Sequence, residues 1–118
     1  MKKLRVEGNK IDKLFEFLSE TNPSDGDVRM ANVVREIGDK KVGFFVFEGF
    51  YLRIQNTVSG SVLIYQTSSD SCEIITVGSG GATALGITWG AQKDIENKIS
   101  NVILKHAEEN GMKGYTIE

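Results

Sequence analysis

Apolar residues recur along this chain with two different periods. Ile11, Leu14, Phe15 and Leu18 stand three and four apart, which predicts an amphipathic helix from Ile11 to about Thr21. Asn9 is placed to cap that helix, and Asn22-Pro23 to end it, because proline disfavours a helical residue before it. Ser24-Asp25-Gly26-Asp27 then reads as a turn. A second stripe, Ile95, Ile99, Val102, Ile103 and Ala107, predicts a longer helix of about twenty residues. Thr88 is its candidate N-cap, and Gly111 stands where a helix end wants positive φ.

Between the helices the period falls to two. Val28 to Ile37 is a strand, turning at Gly38-Asp39-Lys40. In the stretch Val42 to Gln55, the residues Val42, Phe44, Val46, Phe50, Leu52 and Ile54 all fall on even positions. One apolar face therefore runs through Gly49, which predicts a single long strand, bent or bulged there, in preference to a hairpin at Glu48-Gly49. Two further strands follow, around Val62 to Tyr65 after a turn at Thr57 to Gly60, and Cys72 to Val77 after a turn at Ser68 to Ser71. Leu4-Arg5-Val6 and Met112 to Glu118 are each a tail or a short edge strand. Short polar turns between successive strands make the sheet an antiparallel meander. The expected fold is α+β: a four- or five-stranded, mostly antiparallel sheet with an N-terminal and a longer C-terminal helix packed on one face. The even face of the long strand is the surface those helices would cover.

Phe45, Phe47 and Tyr51 occupy the opposite, odd face and would then be exposed. An exposed aromatic patch marks an interface or a ligand groove, so these three are candidate interface residues. Glu48 would point under the helices, where a carboxylate needs a partner or a raised pKa. Arg53 and Arg35 are the candidate partners. Glu48 is thus either a general acid or base in a cleft, a structural ion pair, or a residue returned to water by a bulge at Gly49.

Chain length adds a bound: 118 residues make one domain with room for a real core. Fourteen basic and sixteen acidic residues give a net charge of -2, which argues against a general nucleic-acid binder. A single cysteine, Cys72, excludes an intramolecular disulfide and suits a reducing, cytoplasmic setting. Glu7, Asn9, Lys10 and Asp12 interrupt any signal-peptide core, and no stretch approaches the ~20 apolar residues of a membrane span. One histidine, His106, and one cysteine on different elements make no zinc site, and no cofactor motif is present. They read as a half-buried helix histidine and a core strand cysteine.

One segment keeps a functional reading open. Gly78-Ser79-Gly80-Gly81-Ala82-Thr83-Ala84-Leu85-Gly86-Ile87-Thr88-Trp89-Gly90 lies between a strand and the long helix. Glycines let backbone amides approach a ligand, and a helix N-terminus attracts anions, so Ser79, Gly80, Gly81 and Trp89 are candidate ligand-binding residues, with Glu48 and Arg53 nearby. The segment is no P-loop, having no lysine before Lys93, and no dinucleotide fingerprint, having Thr83 where a glycine is required. Its structural alternative is a bulged strand end with close helix–sheet packing and Trp89 as a core anchor.

Phe47-Glu48-Gly49-Phe50-Tyr51-Leu52-Arg53, Gly78-Ser79-Gly80-Gly81 and Trp89-Gly90-Ala91 resemble, in that order, segments of a family of small proteins found mainly in Gram-positive bacteria. That family carries Glu-x-Tyr/Phe-Tyr-x-Arg, Ser-Gly-Gly and Trp-Gly-Ala/Glu, with no assigned activity. This chain departs in Gly49 and in Gln92, where an acidic residue is expected. The resemblance implies a fold and no mechanism. The residues point first to a non-enzymatic domain that self-associates or binds a small ligand. The alternative is an enzyme or sensor holding an anionic metabolite at the Gly78–Gly90 loop.

Overall fold

The computed structural model describes residues 1–22, 28–51, 56–80 and 91–118. In chain order its elements are β1 (Lys2–Glu7), α1 (Ile11–Glu20), β2 (Val28–Ile37), β3 (Lys40–Tyr51), β4 (Asn56–Ser68), β5 (Ser71–Gly80), α2 (Ala91–Glu109) and β6 (Lys113–Thr116). The strands form one six-stranded sheet in the order β2-β3-β4-β5-β1-β6, and every neighbouring pair is antiparallel. The α+β class and the antiparallel meander hold, with two more strands than the meander alone supplies. Both ambiguous ends are strands: β1 lies between β5 and β6, and β6 closes the edge.

Several local expectations change. β3 runs in unbroken register with β4 from Val42↔Tyr65 to Tyr51↔Asn56, so it passes Gly49 without a bulge, and the rest of the expected long strand, Leu52 to Gln55, lies outside the described residues. Thr57 to Gly60 is therefore strand, not turn. Gly60 serves close approach: a Cβ there would sit 2.4 Å from Ile99 Cδ1 of α2. The N-cap of α1 is Lys10 and not Asn9, with no side-chain capping bond. Gly111 does close α2 with φ +71°, a conformation that costs other L-residues a clash between Cβ and the backbone. The expected cap at Thr88 lies outside the described residues.

Both helices cover the same side of the sheet, but it is the odd side of β3. Phe45 and Phe47 are fully buried there, in one cluster with Val62, Ile64 and Ile74 of the sheet, Leu14, Phe15 and Leu18 of α1, and Ile95, Ile99 and Ile103 of α2. Buried polar groups on this side are mostly paired, Arg29 Nη2 being the described side-chain atom left without a hydrogen bond. Thr76 and Ser100, both buried, share a hydrogen bond at 3.2 Å. The Arg29 guanidinium lies 4.8 Å over the Phe47 ring and donates to the Leu18 carbonyl at 2.7 Å, tying the C-terminal end of α1 to β2. The helices meet where His106 stacks on Phe17, ring centroids 4.0 Å apart.

Candidate functional site

Side chains alternate across a strand, and cross-strand partners point to the same side. The register therefore lays out the sheet's other side, which the helices leave open, row by row. One row reads Val33, Phe44, Leu63, Ile75 and Lys3 across β2, β3, β4, β5 and β1. A neighbouring row reads Arg35, Val42, Tyr65, Glu73, Arg5 and Tyr115 across all six strands. On the other flank lie Ala31, Val46, Ser61 and Val77, and beyond them Val28, Glu48, Ser59 and Ser79. Phe44 is 42% exposed, Val33 38% and Val77 37%, on a surface whose centre is apolar over four adjacent strands. No helix covers it among the described residues.

Charge gathers at one border of this surface. Arg5 reaches both Glu73, at 3.3 Å, and Glu7, at 3.6 Å, so two carboxylates share one guanidinium. Tyr115 donates its hydroxyl to Glu7 at 3.2 Å, and its pKa is raised, first by desolvation and then by that carboxylate. Arg35 stands at the opposite, β2 end of the same row; it is exposed and donates to the Val34 carbonyl beside it.

This arrangement reverses the expectation for the aromatics. Phe45 and Phe47 are core, not interface, because the odd face is the one the helices pack on. The alternation of β3 offers an apolar stripe on each side, and the helices choose the side where Gly43, Gly49 and Gly60 leave room. Gly43 and Gly49 share parity with the two phenylalanines, and all three glycines are buried. A Cβ on Gly43 would lie 2.8 Å from the Phe45 ring, as one on Gly60 would press on Ile99. The Tyr51 side chain lies outside the described residues.

Glu48 keeps its even parity, but the even face is open, so its carboxylate is half-buried on the uncovered side and not sealed beneath the helices. That removes the desolvated cleft on which an acid–base role depended. Glu48 and Ser79 do come together in one row through Ser59, a residue the sequence pattern did not single out; the Ser59 and Ser79 hydroxyls are 2.9 Å apart. Gly80 ends β5 with φ +83°, opposite Val58. Gly81, Trp89 and Arg53 lie outside the described residues. Gly78, the first glycine of the segment, gives its amide to the Glu96 carboxylate of α2 at 2.8 Å, and that carboxylate also pairs with the Met1 ammonium at 2.9 Å. Burial would raise the Glu96 pKa, but the amide and the ammonium outweigh it and the net shift is downward. The Gly78 amide therefore already faces a carboxylate of this chain.

Cys72 is a core thiol under the helices, its pKa pushed up to about 12, chiefly by burial. His106 is half-buried against Phe17, and desolvation lowers its pKa. No group of three or more His, Cys, Asp or Glu that could hold a metal occurs among the described residues, and no described helix is long and apolar enough to cross a membrane. Comparison with models of protein families, with curated proteins and with solved structures finds no match to this chain.

Proposed function

We propose that this chain is a small, non-enzymatic domain that associates with a second protein surface, foremost its own, through the open face of its sheet. The observation that carries this reading is the row Val33, Phe44, Leu63 and Ile75, apolar across four adjacent strands and uncovered by any helix among the described residues. Antiparallel sheets that turn one face to water normally alternate apolar-in and polar-out. Here the outward face is apolar at its centre and charged at its border, which is the anatomy of an interface. A reducing, cytoplasmic setting fits the single unpaired thiol of Cys72.

Sedimentation velocity tests the reading. The wild-type chain should sediment as a concentration-dependent dimer, and Phe44→Glu should make it a monomer with unchanged circular dichroism. A wild-type chain that stays monomeric up to about 1 mM, where even a weak interface associates, removes self-association.

A further inference from the structure

The open face carries enough pattern to say how two copies would meet. Resting on the self-association reading above, we infer that the second copy packs face to face about a two-fold axis parallel to the strands, midway between β3 and β4. Such an axis keeps each row over itself and exchanges β2 with β5 and β3 with β4. Val33 then lies over Ile75 of the second copy, and Phe44 over its Leu63, so the apolar row covers its own reverse. In the neighbouring row Arg35 lies over Glu73 of the second copy. Glu73 suits that partner, because within its own chain it shares Arg5 with Glu7.

The other two-fold that could bring these faces together runs across the strands, between the rows of Phe44 and Val46. It would set Glu48 over Val42 of the second copy, burying a carboxylate on an apolar group. Arg35 of the second copy stands beside that Val42 but itself lies over Val28, so the opposite charges meet only diagonally and the desolvation is repaid in part. With the axis parallel to the strands, Glu48 lies over the Ser59 hydroxyl instead. A two-fold interface must be complementary to itself, and of these two axes it is the parallel one that sets opposite charges over each other.

Size is consistent with a dimer of modest affinity. Four strands about 4.8 Å apart, over the ~26 Å between Lys40 and Glu48, offer roughly 500 Å² per copy. Two copies bury about 1,000 Å², the lower bound of a specific interface. Aligned packing of two twisted sheets at about 30° keeps rows over rows near the axis, and the long Arg35 side chain can follow the divergence towards the edge.

Charge reversal by sedimentation equilibrium decides the geometry. The symmetry repeats the Arg35–Glu73 contact twice per dimer, so Arg35→Glu should weaken the dimer about 10-fold, two pairs each contributing a few-fold. Glu73→Arg should weaken it similarly, and the double variant should return to within about 3-fold of wild type. Thermal unfolding of each variant in dilute solution checks that the domain itself is intact. A wild-type dimer whose double variant is as weak as the sum of the single ones overturns this axis and leaves self-association standing. A monomeric wild type overturns both. Recovery by Glu48→Arg in place of Glu73→Arg, on the Arg35→Glu background, assigns the axis across the strands.

Discussion

Phe44 and Phe45 are neighbours in sequence and opposites in the fold, and truncating each to alanine measures which face is the inside. Phe45 is fully buried and Phe44 is 42% exposed. Removing a buried phenylalanine costs about 3–5 kcal/mol, a sum of lost transfer energy and the cavity left behind. Collapse around Phe45 is hindered, because its ring already fills the space beside Gly43 and stands in register with Val62; the upper half of that range is expected. At Phe44 the lost contacts are on one side only, and in dilute solution about 1 kcal/mol is expected. A domain of this size has about 6–18 kcal/mol in total, so Phe45→Ala removes a large share and Phe44→Ala a small one. Urea unfolding followed by circular dichroism reads both, with an unchanged m-value confirming a shift in stability alone. If Phe44 lies in a dimer interface, its cost should rise with protein concentration while that of Phe45 stays constant. Equal costs at low concentration, or a larger one for Phe44, would refute the assignment of the faces.

Three further outcomes follow from the described contacts. Gly60→Ala should destabilise by about 1–3 kcal/mol in the same urea assay, because its new Cβ meets Ile99 and Ile95 across an already close helix–sheet contact. His106, the single histidine, has a folded pKa below its ordinary 6.5, so the unfolded chain takes up the proton first as pH falls. Its stabilising contribution is complete above pH 6.5 and is lost as pH falls towards the folded pKa; unfolding midpoints between pH 7.5 and 5.5 should show this slope, and His106→Gln should flatten it. Cys72 should resist a thiol reagent at pH 8 in the folded chain and react at once in denaturant, and prompt reaction in the native protein would contradict its burial and high pKa.

Periodicity made the elements legible and left the faces undecided. Ile11, Leu14, Phe15 and Leu18 form the buried stripe of α1, and β2 spans Val28 to Ile37 as its alternation requires. The stripe of α2 and its glycine stop at Gly111 were equally readable. The inside of β3 was not, because Val42, Phe44 and Val46 compete with Phe45 and Phe47, and apolarity alone cannot rank two apolar faces. What decides is close approach, written in glycines. Gly43 and Gly49 share the parity of Phe45 and Phe47, and Gly60 pairs with Phe47. Reading Gly60 as a turn residue hid that signal. β1 and β6 were ambiguous for another reason: six and four residues carry little pattern of their own, and partners far along the chain define them. Of the candidate site residues, Glu48 and Ser79 share a row of the open face, whereas the apolar centre of that face was visible in the even positions but assigned to the helices.

The placing of β1 between β5 and β6 bears on how the chain is made. β1 emerges before both of its partners and has no neighbour until residues 71–80 and 113–116 exist. The hairpins of β2 to β5 can close locally as they appear, with the short turns at Gly38-Asp39 and Ser69-Asp70 needing no long search. Leu4 and Val6, destined for complete burial, must stay in solution through that interval. Synthesis therefore leaves an open slot beside β5, and its occupant, β1, is made before the slot exists and fills it later. Any peptide able to add a strand at the β5 edge competes for it until then.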